Sequence, residues 1–325
     1  MNDWLSWGIP IIVWLQGLGA WLTRPMEFFT FLGTEEFFML VMPAVLWCFD
    51  AGLGLRLGLI LLTSDAFNGA FKLIFGWPRP YWVSDQILAL SAETSFGLPS
   101  GHAQNALALW GRLAVSIRRR WATVLLGLVI LLISVSRLYL GVHFPSDVLA
   151  GWLVAGVLLW LFVRYDEPAR RWLSRIGSSR QIVLALILSL VLLGLQSAVF
   201  QLTAGRVVPT AWAEQAAAAA PEADPIQPRS LEGMFSGSGV LFGLGAGGAL
   251  LFGWGGFNPQ GPAWKRIGRY LLGLAGVLAL WMGLRAILPE GETALALALR
   301  YLRYAAVGLW VTYGAPRLFV WLRLA

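Results

Sequence analysis

Long apolar runs recur along the chain, each near the roughly 20 residues a helix needs to cross the hydrocarbon core of a bilayer. They cover about 35–49, 53–75, 103–117, 122–142, 147–164, 182–202, 236–256, 269–288 and 296–316. A tenth run, 4–22, carries Trp4, Trp7, Trp14 and Trp21, the last three seven apart and so near one helical face. It either spans the membrane or lies in the interface. No basic residue precedes it, so it does not read as a cleavable signal peptide. The pattern predicts an all-α protein, a polytopic membrane bundle of nine or ten transmembrane helices.

Composition agrees. Of the 325 residues, 58% are hydrophobic and 13% charged, against about 25% charged in soluble domains. That excludes a soluble enzyme, a disordered chain and a nucleic-acid binder, despite a net charge of +7. The 18 tryptophans suit interfacial belts. A single cysteine, Cys48, excludes a disulfide framework and a cysteine-based metal cluster.

The arginines set an orientation. Arg118 to Arg120, then Arg164, Arg170, Arg171, Arg175 and Arg180, then Lys265, Arg266 and Arg269, and finally Arg317 and Arg323 fall on one side if the spans alternate. That side is cytoplasmic by the positive-inside rule, and the basic-poor loops 76–102, 203–235 and 286–295 face away from it. Loop 203–235, with Ala216 to Ala220 followed by prolines and acidic residues, reads as an exposed, partly flexible connector. Beyond it, Gly239, Gly243 and Gly247 recur every fourth residue, a spacing that lets helix backbones pack closely in lipid.

Ionisable groups in or beside a span are costly and point to function. Three clusters occur on the non-cytoplasmic side. Lys72 is followed after six residues by Arg79 and Pro80, a point charge and a planar fork suited to phosphate oxygens. In Pro99-Ser100-Gly101-His102 the proline suits a helix start and the glycine leaves room for a ligand, so the amides of Ser100 and Gly101 are expected to face an anion at a positive helix end. Third come Ser136-Arg137, His143 and Asp147. Asp147 in the first turn of a helix can reach back to His143, fix its tautomer and leave the other ring nitrogen free to attack. Both histidines of the chain, and one of its two lysines, fall in these clusters.

These eleven residues, in order and at matched spacing, resemble the three-part signature of the type 2 phosphatidic acid phosphatase superfamily, which includes lipid phosphate phosphatases, glucose-6-phosphatase and vanadium haloperoxidases. With its supporting helices the resemblance covers about residues 1–165 and implies a six-helix phosphatase core. Residues 166–325 are then additional transmembrane helices without an assigned motif. A weaker similarity, carried by Gly33, Glu35, Phe37, Pro43, Trp47 and Asp50, is to sphingosine-1-phosphate phosphatases.

The resemblance implies a membrane-embedded, metal-independent hydrolase of a lipid phosphate or pyrophosphate that uses no cofactor. His143 is the nucleophile that becomes phosphohistidine, Asp147 orients it, and His102 protonates the leaving oxygen and helps activate water. Lys72, Arg79, Ser100, Gly101 and Arg137 hold the phosphoryl oxygens, while Pro80, Pro99 and Ser136 complete the motifs. Asp65 and Asn68, seven and four residues before Lys72, share its helical face and are candidates to orient it. Glu35 and Glu36 mark the membrane boundary at the start of their span. The expected setting is a cell inner membrane with the site on the non-cytoplasmic side. The alternatives are a vanadate-dependent haloperoxidase, against which the apolar spans argue, and a phosphatase fused to a lipid transport module.

Overall fold

The computed structural model describes residues 7–325. Trp4, with the rest of 4–6, lies outside them. Among the described residues all regular secondary structure is helical, with no strand, as suits a polypeptide in lipid that satisfies its backbone within each segment.

Among the described residues, seven helical stretches are long and apolar enough to cross a membrane: Ala51–Val83, Arg120–Tyr139, Pro145–Leu173, Ser178–Leu202, Glu232–Gly253, Ala263–Ile287 and Ala294–Trp321. An eighth arises if Ala20–Phe31 and Glu35–Cys48, bent by 49°, count as one span. Of the expected spans, 4–22 and 103–117 are not among these eight. The described part of the run at 4–22 forms the ten-residue helix Gly8–Gly17 and a 3-10 turn, Ala20–Leu22. The run at 103–117 lies in the 17-residue helix Gly101–Ile117, which buries Gln104, Asn105 and Arg112. Its polar face packs on protein, so its sequence need not meet lipid all round.

The chain divides into two compact units that interleave along the sequence. One comprises 1–37, 67–160 and 198–230, and the other 38–66, 161–197 and 231–325. In the second, Glu232–Gly253 and Ala294–Leu309 lie backbone to backbone. A side chain on Gly239 or Gly243 would strike the carbonyl of Tyr301 or Ala305, and one on Gly308 would lie 2.6 Å from that of Val240. The four-residue glycine spacing thus serves close packing within this unit. Trp47, fully buried there, donates to the Val311 carbonyl at 2.8 Å. Asp50, another position of the weaker similarity, caps the next helix through Leu53 N–H at 2.7 Å.

In the first unit, the loop 84–100 is held from several sides. Gln16 donates to the carbonyls of Leu88 (2.8 Å) and Tyr139 (2.9 Å) and accepts from Leu88 N–H (3.1 Å). One side chain therefore ties this loop to the end of Arg120–Tyr139. The stretch expected to be an exposed connector also contributes. It forms the helix Thr210–Ala219, with Trp212 6.3 Å from Trp82 between ring centroids, and the Gln227 N–H donates to the Thr94 carbonyl at 2.9 Å. Arg206 donates to the carbonyls of Leu73 (2.5 Å) and Ile74 (2.8 Å). A cation there satisfies carbonyls left open at the end of the helix that carries Lys72.

Candidate active site

The three motifs meet within the first unit. Ala51–Phe75 brings Lys72 in its last turn, and Lys72 Nζ donates to Ser95 Oγ at 2.7 Å. Arg79 precedes the short helix Pro80–Val83, whose first turn is built on the buried Pro80. The Arg79 guanidinium is fully buried. Its Nε donates to the Ser95 carbonyl (2.7 Å), Nη1 to the Val142 carbonyl (3.0 Å) and His143 Nε2 (3.1 Å), and Nη2 to Ser95 Oγ (3.1 Å) and the Phe96 carbonyl (3.3 Å).

His143 sits in the short connection between Arg120–Tyr139 and Pro145–Leu173. The chain turns there at Gly141, whose φ of +76° suits glycine. Asp147 Oδ2 lies 3.2 Å from His143 Nδ1 and accepts from Phe144 N–H at 2.9 Å. This network assigns the proton to Nδ1, facing the carboxylate, and leaves the Nε2 lone pair facing Arg79. Burial, the largest cause, and then Arg79, Arg137 and Lys72 hold the His143 pKa well below the ordinary histidine value. A neutral imidazole is the form that can act as a nucleophile.

Arg137, 2% exposed, donates to Thr30 Oγ1 at 2.5 Å and pairs closely with Glu93. Glu93 also lies 3.7 Å from Arg79 Nη2. Burial alone would push the Glu93 carboxyl up. Arg79 and Arg137, with His102 and Lys72 behind them, reverse that and hold it well below the carboxylate range. Its anionic carboxylate bridges two guanidiniums that the motif reading reserves for phosphoryl oxygens.

Pro99-Ser100-Gly101-His102 opens the helix Gly101–Ile117, and here the expectation for Ser100 needs correction. Its amide does not face an open anion position but donates to the Asp147 backbone carbonyl at 2.9 Å. Its Oγ instead caps Ala103 N–H at 3.5 Å. Holding the third motif against the second consumes the donor that a free helix N-terminus would have offered. Gly151 permits this approach, since a β-carbon there would lie 2.8 Å from the Ser100 carbonyl. His102 is the second residue of the helix. Gly33 makes room for it, because a β-carbon there would stand 3.2 Å from His102 Cδ2 and 2.8 Å from Ile133.

One further expectation changes. Asn68 serves the second motif through bonds from Nδ2 to the Pro99 carbonyl (3.2 Å) and Gln104 Oε1 (2.9 Å). A β-carbon on Gly101 would lie 3.1 Å from its Oδ1. Asp65, one turn earlier, falls in the other unit. Ser136 bonds its own helix at the Ile133 carbonyl (2.6 Å) and reaches no other motif residue through that hydroxyl.

Sequence reasoning missed Glu93, Ser95, Thr30 and Gly97. A β-carbon on Gly97 would stand 3.2 Å from Asp147 Oδ2. The signal for Glu93 was its charge in a chain with 17 acidic residues. Its partners come from segments 14 and 44 residues away, so no local pattern marks it.

Residues 53–171 match the family model described as PAP2 superfamily, and residues 235–325 match that described as PAP2 superfamily phosphatase, transmembrane extension. The chain thus carries a PAP2 superfamily domain followed by that superfamily's transmembrane extension. It is similar to human glucose-6-phosphatase 3, with 31% identity over 206 residues, covering 54% of this chain and 58% of the relative. Mouse sphingosine-1-phosphate phosphatase 2 is 33% identical over 136 residues, 40% of this chain and 38% of the relative. A crystal structure of a transmembrane PAP2 type phosphatidylglycerolphosphate phosphatase from Bacillus subtilis is 27% identical. It covers 51% of this chain and 88% of that one, with a TM-score of 0.44. With its apolar helices and this extension, the chain is an integral membrane protein.

Proposed function

We propose that this protein is a metal-independent membrane phosphatase that hydrolyses a lipid phosphate or diphosphate through a phosphohistidine. The observation that carries the reading is His143, held between Asp147 on one ring nitrogen and Arg79 on the other. His143 Nε2 attacks phosphorus as the P–O bond to the leaving group breaks, and His102 gives its proton to the departing oxygen. His102 then takes a proton from water, whose oxygen attacks the phosphohistidine and releases phosphate and neutral His143. Asp147 stabilises the positive ring in between.

Lys72, Arg79 and Arg137 supply the positive charge that phosphoryl transfer draws on, and Gly101 makes room for Asn68. Arg79 donors now directed to His143 and Glu93 pass to phosphoryl oxygens when substrate enters. Catalysis is assigned to the 1–165 region, at helix ends where a head group arrives while its tail stays in lipid. The arginine clusters support a site on the non-cytoplasmic side, and the reading sets it in a cell inner membrane. The similarity to sphingosine-1-phosphate and glucose-6-phosphate enzymes supports a phosphomonoester.

The test is purified full-length protein in detergent with a chelator, assayed on phosphatidate, a sphingoid-base phosphate, a polyprenyl diphosphate and glucose 6-phosphate. Phosphate release from a lipid member is expected. His143→Ala should lower it by about 10⁴-fold or more and abolish acid-labile labelling of the chain by radioactive phosphate. Full activity in that variant, or complete dependence on added magnesium, overturns the reading.

A further inference from the structure

A charge buried in a membrane helix without a counter-charge is a pointer to a ligand. In the unit containing 231–325, Arg303 comes near that case: the charge of Glu290 reaches it, but Glu290 is ion-paired with Arg285. Arg303 stands nine residues into Ala294–Leu309, about 13 Å along the helix axis. It is 4% exposed, and its Nε is buried with no hydrogen-bond partner. Its guanidinium lies 5.1 Å from the centroid of the Tyr304 ring, and among the described residues no carboxylate pairs with it.

Arg303 lines a cavity of about 100 Å³ with Glu232, Trp281, Arg285, Glu290, Arg300 and Tyr304. The two carboxylates there are already matched. Arg285 Nε holds Glu290 at 2.6 Å, and Arg300 holds Glu232 at 2.7 Å and Ser236 Oγ at 2.9 Å. Three arginines against two glutamates leave one positive charge, and it is the most deeply buried one. The terminal nitrogens of Arg285 and Nη1 of Arg300 also have donors beyond those directed to the glutamates. Three guanidiniums lining one cavity, with one positive charge in excess, suit an oxyanion with at least three acceptor oxygens, more than a carboxylate or a halide offers. Trp281, whose Nε1 donates to Tyr304 Oη at 3.2 Å, and Tyr304 itself give the cavity an apolar wall.

We propose that this cavity is a second phosphate site, separate from the catalytic residues, which takes the phosphate of a lipid head group or a free phosphate ion. The proposal does not rest on the catalytic reading. Trp281 offers a local reporter. The full chain is labelled with 5-fluorotryptophan in dodecyl maltoside, the Trp281 ¹⁹F resonance is assigned from its loss in Trp281→Phe, and inorganic phosphate or phosphatidylglycerol is titrated in.

A saturable shift with phosphate alone identifies a free oxyanion. A shift with phosphatidylglycerol alone identifies a head group, and shifts with both identify a site for either. Arg303→Met should weaken the response at least ten-fold. Should that variant misfold, Arg303→Lys, which keeps the charge and loses the fork, is expected to elute as the parent does and to respond several-fold more weakly. The proposal is overturned if neither ligand moves the resonance, if sodium chloride at matched ionic strength moves it equally, or if the folded Arg303 variants respond as the parent does.

Discussion

The two compact units both bury arginine, and they use it differently. In the unit with the three motifs, Arg79 and Arg137 share a carboxylate, Glu93, and Arg79 also touches the ring nitrogen of His143. In the other unit, Arg269 is as fully buried but donates to the backbone carbonyls of Asn258 (3.0 Å), Pro259 (2.5 Å) and Gln260 (3.3 Å). Arg79 divides its donors between the backbone carbonyls of Ser95, Val142 and Phe96 and side chains that a ligand can displace. Arg269 gives its terminal nitrogens to chain that cannot leave, and its Nε alone has no partner. Burial of a cation is therefore not by itself a mark of function; the exchangeability of its partners is.

That contrast breaks first on paired substitutions. Arg137→Met should lower kcat/KM by about 10²–10³-fold, the loss expected for one transition-state donor, while leaving the unfolding midpoint in detergent nearly unchanged. Arg269→Met should do the reverse, costing about 2 kcal/mol of stability for the stranded carbonyls with catalysis retained. If both variants lose activity alike at equal fold content, the distinction fails.

Gly33→Ala sharpens the comparison within the first unit. The added methyl meets His102 and Ile133, and overpacking of this kind costs about 1–3 kcal/mol. The loss should fall mainly on kcat, by about ten-fold, because the crowded ring is the proposed proton donor. An unchanged kcat with lowered stability would make Gly33 a packing position only.

Glu93→Gln tests whether the bridge is exchangeable. Removing the carboxylate that competes for Arg79 and Arg137 should tighten inhibition by inorganic phosphate about five-fold, about 1 kcal/mol. Weaker phosphate inhibition would show that Glu93 positions the arginines rather than occupying their ligand's place.

The smallest expected effect is on the pH profile. With the His143 pKa lowered by burial and by Arg79 and Arg137, its neutral form persists into more acid solution. The acid limb of kcat/KM, which reports the free enzyme, should therefore lie below the ordinary histidine value of about 6.5. A limb at or above that value would mean that the guanidinium field does not reach the nucleophile.

Legibility followed the length scale of each interaction. His143 and Asp147 are four residues apart at a helix start, so their pairing could be read from spacing. So could the glycine face at 239, 243 and 247, whose period is that of a helix. Ser100 was misread for the converse reason. A helix N-terminus predicts open amides, but the partner that closes one of them, the Asp147 carbonyl, arrives from 47 residues away. The connector at 203–235 had the composition of a loose loop. Its Gln227 and Arg206 nevertheless hold, respectively, the loop beside Glu93 and the helix end beside Lys72. Composition reports what a segment does in water, not what it does when a groove of matching carbonyls is available.

By itself, the sequence determined the membrane setting, the helical class and the order of the three motifs, because apolar run length and i, i+4 spacing are local properties. Only the tertiary structure decided which donors remain available. It directed Ser100 to the chain, matched Glu93 with two arginines, gave the terminal nitrogens of Arg269 to carbonyls and left Arg303 lining a cavity. A buried polar group is defined by the partners that surround it, and those come from segments whose proximity exists only once the helices have packed.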